Sequence, residues 1–251
     1  MKIVGIIPAR FASTRFPGKP LALIGGISMI QRVYEQCLKS ESLNNVIVAT
    51  DDDRIADHVR SFNGKVVMTS TEHRSGTDRC NEALNHLLTE DPENSYDVVV
   101  NIQGDEPFID PLQINAVASC FLDPQVDIAT LTRKIDTSEE LFNPNAVKVV
   151  RGINKHALYF SRSPIPFIRG VEQNEWINHG SFLKHLGLYA YRTGVLKAIA
   201  SLPTGSLENF ESLEQLRWLE NGYCISVELT EKEGISIDTP EDLTKLINIT
   251  W

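Results

Sequence analysis

Buried-strand patterns alternate with helical patterns along the first half of the chain. Short runs rich in Ile and Val, bounded by Gly, Pro or polar residues, predict strands. These runs are Lys2–Ile7, Asn45–Thr50, Lys65–Met68 and Tyr96–Gln103. Helical periodicity lies between them, in Ser28–Lys39, Asp51–Gly64, a segment starting near Thr77, and Asp110–Leu122. Strands separated by helices predict a mostly parallel sheet with right-handed crossovers.

The pattern changes after Asp123, where strands follow one another without a full helix between them. The predicted strands are Val126–Arg133, Ala146–Val150, Ala157–Arg162, Lys184–Arg192, Tyr223–Leu229 and a short one leading to Asp238. Helices are predicted at Gly194–Ser201, at Asn209–Asn221 and from Pro240 to about Ile249. We therefore predict an α/β fold with an open, mostly parallel or mixed sheet, flanking helices and a smaller inserted subregion. Because no linker or repeat is visible, we expect one domain, 1–251, with halves of about 1–123 and 124–251.

Composition excludes several classes of protein. The net charge of −9 argues against binding to a nucleic-acid backbone, which needs a positive surface. No apolar run approaches ~18 residues, and the start shows no signal-peptide pattern, so we expect a cytoplasmic protein without membrane contact. The four cysteines are far apart, which favours reduced thiols over a zinc site or a redox pair.

A basic loop follows the first strand. Arg10, Arg15 and Lys19 lie within ten residues on a Gly- and Pro-rich segment at the carboxyl end of that strand, where open α/β sheets bind anions. Neither G-x-x-x-x-G-K-[ST] nor G-x-G-x-x-G is present, so a Walker-type or dinucleotide site is not indicated. The pattern alone fits a polyphosphate site and a solvated surface loop about equally well.

The basic loop resembles a known family signature. The matching residues are Gly5, Ile7, Pro8, Ala9, Arg10, Ser13, Arg15, Pro17, Lys19 and Leu21. They resemble the N-terminal signature of sugar-acid cytidylyltransferases and their nucleotidyltransferase relatives. Further matching blocks are Arg74–Arg79, Asn101–Pro107, Tyr159–Pro166, Lys184–Arg192, Glu208–Gly222 and Gly234–Leu243. Several blocks in one order make the resemblance specific, and the form of Phe16–Leu21 is similar to the branch that acts on 3-deoxy-D-manno-octulosonate (Kdo).

The resemblance implies a fold and an activity. The fold would be that of the nucleotidyltransferases, which is glycosyltransferase-A-like. The activity would be transfer of CMP from CTP to the anomeric hydroxyl of Kdo, with release of pyrophosphate, which activates Kdo for lipopolysaccharide synthesis. It further implies Mg²⁺ as cofactor and a homodimer, with the first half binding the nucleotide and the second half holding the acceptor sugar and the dimer contact. The apolar alternation at Leu186–Arg192 is open to two readings, an interface strand or core packing.

The resemblance also assigns nucleotide-binding residues. They are Pro8, Ala9, Arg10, Ser13, Arg15, Lys19, Arg74, Ser75, Gly76 and Asp78, with catalytic roles for Arg10, Lys19 and Asp105. Arg suits bidentate contact with phosphate, whereas Lys provides a point charge. Arg74–Arg79 would read the base, because main-chain carbonyls or a Ser hydroxyl can accept from the cytosine amine. For Asp78 and Arg79, base reading and a purely structural role, as a helix cap and a helix ion pair, are about equally well supported.

Two aspartates are candidate metal ligands. Asp105 and Asp238 each follow a predicted strand, and Mg²⁺ prefers a few carboxylates plus water and phosphate oxygens. Each aspartate by itself fits an ordinary turn or helix cap, so the assignment comes from the resemblance.

The resemblance implies six sugar-binding residues: Gln103, Arg162, His185, Tyr189, Glu214 and Gln215. Arg162 would neutralise the sugar carboxylate. His185 and Tyr189, four apart on a strand, should share one face. For Tyr189 a half-buried strand aromatic, and for Glu214 a solvated helix face, remain open as structural alternatives.

Two other functions remain open at the level of sequence. The same chemistry with another acceptor, such as neuraminate or a neutral sugar phosphate, would use the same nucleotide motifs. A nucleotide-binding module without catalysis would share the fold, although every charged position of the phosphate and metal motifs is present here.

Overall fold

The computed structural model describes residues 1–12, 16–93, 95–232 and 234–246. The strands are β1 Ile3–Ala9, β2 Leu23–Ile24, β3 Ile27–Ser28, β4 Asn45–Thr50, β5 Val66–Met68, β6 Val98–Asn101, β7 Ile128–Lys134, β8 Lys148–Arg151, β9 Ala157–Ser161, β10 Leu183–Arg192 and β11 Ile225–Leu229. The helices are α1 Met29–Cys37, α2 Asp53–Ser61, α3 Gly76–Glu90, α4 Pro111–Ser119, α5 Ser138–Phe142, α6 Trp176–His179, α7 Thr193–Ala200, α8 Ser206–Glu211, α9 Gln215–Glu220 and α10 Pro240–Leu246. Short 3-10 helices lie at Lys19–Leu21, Cys120–Leu122 and Gln173–Glu175. The predicted α/β class, with parallel and mixed open sheets and flanking helices, is confirmed.

The chain forms two compact units. The first comprises residues 1–115 with the described tail, 234–246, and the second comprises 116–232. The division falls inside α4 and places Asp238 in the first unit, although sequence reasoning assigned it to the second half. The expectation of a single domain with halves meeting near residue 123 stays a prediction.

The sheet of the first unit is parallel and carries the site at one edge. Its strand order is β6-β1-β4-β5, with Gly5 opposite both Val46 and Val100. Most of β1 is buried, as expected for a central strand covered on both faces. Because the strands are parallel, their carboxyl ends meet at the same edge, beyond Ala9 and Asn101.

The second unit has a mixed sheet. Strand β7 pairs with β11 in parallel and with β10 antiparallel, and β8 pairs antiparallel with both β10 and β9. Leu188 to Tyr191 of β10 are buried by this pairing. The burial of these four residues favours core packing for this part of the strand, and the interface strand stays a prediction.

One predicted helix is wrong. Asn209–Asn221 divides into α8 and α9 at Ser212, whose φ of 51° lies in the left-handed region. The carbonyls of Glu211 and Ser212 accept hydrogen bonds from the Arg162 guanidinium, at 2.7 and 3.3 Å, rather than from a continuing helix. Phe210 in α8 is 82% exposed.

The tail differs from its prediction in a smaller way. Ile235–Asp238 is not a strand, although Ile237 is fully buried in a cluster with Ile24 and Met29. The predicted end of the last helix near Ile249 lies outside the described residues.

No helix among the described residues is long and apolar enough to cross a membrane. All four cysteines are free thiols, with Cys37 and Cys80 buried, Cys120 partly buried and Cys224 exposed.

Candidate active site

A polar cavity of about 260 Å³ lies at the carboxyl edge of the first unit's sheet. Its walls are formed by Pro8, Ala9, Arg10, Lys19, Pro20, His73, Arg74, Ser75, Gly76, Arg79, Gln103, Gly104, Asp105 and Asp238. The cavity thus gathers the end of β1, the basic loop, the N-terminus of α3, the segment after β6 and the tail. Four stretches far apart in sequence meet here because parallel strands end at one edge.

The basic loop is shaped by one glycine. Gly18 adopts φ of 72°, donates its N–H to the carbonyl of Phe11 at 3.0 Å and begins the 3-10 helix that carries Lys19. A side chain would be strained there, because its Cβ would also lie 3.1 Å from the Phe11 ring. Arg10 is exposed at the cavity, and Lys19 reaches into it. The predicted nucleotide ligands Ser13 and Arg15 lie outside the described residues.

The ammonium group of Lys19 lies between the carboxylates of Asp105 and Asp238, the two predicted metal ligands. Its Nζ is 2.7 Å from Asp105 Oδ2, 3.4 Å from Asp238 Oδ1 and 2.8 Å from the carbonyl of Ile237. The Ile237 N–H donates to the carbonyl of Asp105 at 3.0 Å, which holds the tail against the segment after β6. The carboxylate of Asp242 accepts from the N–H groups of Asp238 and Thr239 and so fixes the start of α10.

This cluster fits a hard divalent cation. Two carboxylates and a main-chain carbonyl, all oxygen donors, converge on the ammonium group of Lys19, which stands in for a cation at that point. A set of few carboxylates is what Mg²⁺ prefers, because the remaining ligands are water and phosphate oxygens. Among the described residues, no group of three or more His, Cys, Asp or Glu side chains is placed to hold a metal ion.

The N-terminus of α3 forms another wall. Ser75 caps the helix, since its hydroxyl accepts from the Asp78 N–H at 3.1 Å while Asp78 accepts from the Ser75 N–H at 3.3 Å. This capping box presents the positive end of a 15-residue helix to the cavity. Ser75 and Gly76 line the cavity, whereas Asp78, also predicted to bind the nucleotide, lies outside its lining and serves the cap.

Four lining residues, Pro20, His73, Arg79 and Gly104, were not in the predicted set. Arg79 is 4% exposed and donates to Asp51 at 2.7 Å and to the Thr69 hydroxyl at 2.6 Å, which ties the ends of β4 and β5 to α3. His73 is hydrogen-bonded to Glu82. His73 directly precedes the block Arg74–Arg79 that resembles the family, and Arg79 is its last residue.

Glu82 holds that loop in place. Burial opposes its ionisation, but the Ser70 N–H and His73 outweigh burial and hold the pKa of Glu82 below its usual value. The ionised carboxylate of Glu82 therefore holds Ser70 and His73, which precede Arg74 and Ser75 of the cavity wall.

Gln103 and Gly104 complete the cavity after β6. A Cβ on Gly104 would lie 2.9 Å from the carbonyl oxygen of Pro8, so only glycine permits this close approach of the two strand ends. Of the predicted sugar-binding residues, Gln103 alone belongs to the first unit. The other five belong to the second.

Arg162 of the second unit is held by main-chain carbonyls. Nε donates to Glu211 at 2.7 Å, Nη1 to Pro144 at 3.1 Å and Nη2 to Ser212 at 3.3 Å. A guanidinium has five N–H donors, so two remain for a carboxylate ligand.

A buried lysine supports Arg162. Lys148 has no exposed surface, and its Nζ donates to the carbonyls of Asn143, Ala146 and Arg162. Burial lowers the pKa of Lys148. The strand pattern predicted β8 but gave no reason for a lysine at an inward position.

His185 and Tyr189 share a face, as predicted, but for a different reason. A bulge in β10 between Leu186 and Tyr189 places His185 opposite Thr132 and Tyr189 opposite Thr130. The two ring centroids are 5.2 Å apart, whereas residues four apart on a regular strand are separated by about 13 Å. The bulge therefore brings the two predicted sugar ligands into contact.

Both rings are neutral. Burial lowers the pKa of His185 to about 3. Burial also raises the pKa of Tyr189 well above its usual value, with the nearby Thr130 hydroxyl acting in the opposite sense. A neutral His185 provides no positive charge for a sugar carboxylate at neutral pH.

The remaining predicted sugar ligands lie at the start of α9. Glu214 is half-buried, with Oε1 3.3 Å from Arg217 Nη2. Gln215 is 5% exposed, and its Nε2 is buried without a hydrogen-bond partner among the described residues. A buried amide with an open donor is suited to a ligand oxygen.

The fold and the cavity define a nucleotidyltransferase. The chain belongs to the cytidylyltransferase family, whose model matches residues 4–233. The sequence-based assignment to this family is confirmed.

Individual relatives match along the whole chain. A 3-deoxy-manno-octulosonate cytidylyltransferase of Parabacteroides distasonis is 57% identical over 251 residues, covering 98% of this chain and 97% of the relative. The enzyme of the same name from Bacteroides thetaiotaomicron is 57% identical over 246 residues, covering 97% and 96%. The solved structure of CMP:2-keto-3-deoxy-manno-octonic acid synthetase, complexed with CTP, aligns with a TM-score of 0.89 and 41% identity over 98% of this chain and 97% of that one.

Proposed function

We propose that the chain transfers CMP from CTP to the anomeric hydroxyl of Kdo and releases pyrophosphate. The observation that carries this proposal is one polar cavity in the first unit. It gathers the basic loop, the N-terminus of α3, Asp105 and Asp238. Whole-length identity of 57% to curated Kdo cytidylyltransferases supports the choice of substrates.

The nucleotide would be bound by the first unit. Arg10 and Lys19 provide cations for the phosphates, and the positive end of α3 adds main-chain N–H groups at Ser75 and Gly76. Nucleotidyl transfer depends mainly on positioning and on stabilising charge, so these groups would also stabilise the developing charge on the leaving pyrophosphate.

Asp105 and Asp238 would hold Mg²⁺ together with oxygens of water and substrate. When bound, it would supply screening of the α-phosphate charge and a lower pKa for the attacking hydroxyl. Lys19 presently neutralises both carboxylates, and the arrival of another cation would free its ammonium group for the phosphates.

The acceptor would be bound through residues of the second unit, whereas the sugar-binding role of Gln103 in the first unit stays a prediction from the family resemblance. Arg162 offers two N–H donors for the sugar carboxylate, while His185, Tyr189 and Gln215 offer neutral hydrogen-bonding groups for its hydroxyls. In the reaction, the anomeric oxygen bonds to the α-phosphorus as the bond to the β-phosphate oxygen breaks. The hydroxyl proton is lost to solvent or to a carboxylate.

A pyrophosphate-release assay tests the proposal. The intact protein is given CTP and Mg²⁺ with Kdo, with neuraminate, or without an acceptor, and UTP replaces CTP in a parallel series. We expect pyrophosphate to be released only in the series that contains both CTP and Kdo. Release with neuraminate but not with Kdo would overturn the substrate, and calorimetric binding of CTP without release would indicate a nucleotide-binding module.

The homodimer and the cytoplasmic location implied by the family resemblance are part of the same proposal. Light scattering at micromolar concentration is expected to give twice the chain mass. A monomer would contradict the dimer without affecting the proposed chemistry.

A further inference from the structure

We propose that Thr130 is a positioning residue that sets the tautomer of His185, so that Nδ1 faces the acceptor as a hydrogen-bond acceptor. The consequence for the substrate rests on the proposed function, because it concerns the same acceptor site. The sequence marks Thr130 only as a polar residue in an apolar strand.

The hydroxyl of Thr130 lies at the centre of the β10 bulge. Oγ1 is 2.8 Å from the carbonyl of Leu188, 3.1 Å from that of Leu186 and 3.1 Å from His185 Nε2. Thr130 has no exposed surface, so water cannot take the place of any of these partners.

Proton accounting favours one direction for the bond between Thr130 and His185. A hydroxyl has one proton, and the two carbonyls can only accept. When Thr130 gives its proton to a carbonyl of the bulge, its oxygen must accept from the imidazole. His185 is then protonated at Nε2, and Nδ1 carries the lone pair.

The neutral state of the ring makes this choice consequential. A protonated imidazole would donate from both nitrogens, but burial lowers the pKa of His185 to about 3. One nitrogen therefore donates and the other accepts at working pH. Nδ1 has no hydrogen-bond partner among the described residues.

The ring is also fixed by packing. Phe160 meets it edge-on, with centroids 5.1 Å apart, and Tyr189 lies on another side at 5.2 Å. Because the ring is fixed, its accepting nitrogen has a defined position. It suits a sugar hydroxyl that donates, and it repels a carboxylate or a carbonyl oxygen.

The chain supplies a matched control. Thr132 lies two residues further along β7, is equally buried and donates to the carbonyl of Lys184 at 2.7 Å. Its hydroxyl thus makes the same kind of bond from β7 to β10 but is not the hydrogen-bond partner of the His185 ring. Thr132→Val removes a comparable structural bond, whereas Thr130→Val also removes the acceptor for Nε2.

The first measurement is independent of turnover. Nitrogen NMR of labelled imidazoles, with the His185 signal assigned by its absence in His185→Gln, distinguishes protonated from bare nitrogens. We expect wild type, Thr130→Ser and Thr132→Val to be protonated at Nε2, and Thr130→Val to show a mixture or the other tautomer. A bare Nε2 in wild type, or an unchanged tautomer in Thr130→Val, would overturn the proposal.

The second measurement separates positioning from general stability. The KM for Kdo should rise about tenfold in Thr130→Val, the loss of about one hydrogen bond, with little change in the KM for CTP. Thr130→Ser should restore it, and Thr132→Val should leave it near wild type at a similar loss of melting temperature. Equal effects of the two valine variants would reduce Thr130 to a structural residue. Should the protein not use Kdo at all, the tautomer result still stands or fails by itself.

Discussion

The two groups of candidate ligands work by opposite electrostatic means. In the first unit, Arg10, Lys19, Asp105 and Asp238 are charged groups at a partly open cavity, and the ammonium of Lys19 is shared between two carboxylates. In the second unit, the rings of His185 and Tyr189 are kept neutral by burial.

This difference matches the two kinds of ligand. A nucleoside triphosphate carries several negative charges. Cationic side chains that can move from a carboxylate to a phosphate are suited to binding it and to stabilising the charge that develops on the leaving group. A protein recognises a sugar by the directions in which its hydroxyl groups point. Neutral hydrogen-bonding groups in fixed orientations match these directions without the free-energy cost of removing a charge from water. Arg162 is the exception, and it fits the single carboxylate of a sugar acid.

The largest effect should come from removing charge in the first unit. Asp105→Asn keeps the shape but removes one of the two carboxylates that neutralise Lys19 and would hold Mg²⁺. Turnover with CTP and Kdo should fall by at least about 10²-fold, more than is typical for loss of a residue that only orients a metal ligand.

Asp57→Asn is the control for that change, because Asp57 is an exposed partner of Arg60 on α2. It should keep wild-type turnover. If Asp105→Asn also keeps wild-type turnover, the activity does not depend on the charged groups of the cavity. The contrast between a charged first unit and a neutral second unit then fails.

A smaller effect should appear in metal binding without nucleotide. In Lys19→Met no ammonium competes for the two carboxylates, so the nucleotide-free protein should bind Mn²⁺ at least about tenfold more tightly. Electron paramagnetic resonance of free Mn²⁺ measures this directly. Lys65→Met removes a lysine whose partner is Asn45, and it should leave the affinity unchanged. Equal affinities in the two variants would mean that Lys19 does not occupy the cation position.

The sequence predicted the parallel half of the fold well. Strand β4 was predicted with its bounds, and β1 and β5 nearly so, because apolar runs bounded by turn residues have few alternatives in a buried parallel sheet. Most of the residues that line the cavity were among the predicted site residues, because they lie in compact motifs at strand ends.

The second unit was less predictable because long-range contacts override local pattern there. The helical periodicity of Asn209–Asn221 gave no indication that Arg162 would bind carbonyls at Ser212. The β10 bulge is also invisible in sequence, although it determines that His185 touches Tyr189. In the sequence, Thr130 and Lys148 are polar residues that interrupt an apolar strand pattern. In the structure, each is buried and makes several hydrogen bonds.

The smallest effect, and the sharpest for the second unit, is a pH dependence of stability. The folded-state pKa of His185, about 3, lies below the usual value of about 6.5. Between these values the unfolded chain binds a proton that the folded protein does not, so the unfolding free energy must fall as pH falls. From pH 7.0 to 5.5 this one group should lower the free energy of unfolding by about 1 kcal/mol.

Urea unfolding of wild type and His185→Gln should show that difference in the slope of stability against pH, since glutamine can still donate to Thr130 but does not titrate in this range. His179→Gln, at an exposed position, should retain the wild-type slope. If His185→Gln retains it as well, His185 is not held neutral by burial, and the contrast between a charged first site and a neutral second one is lost.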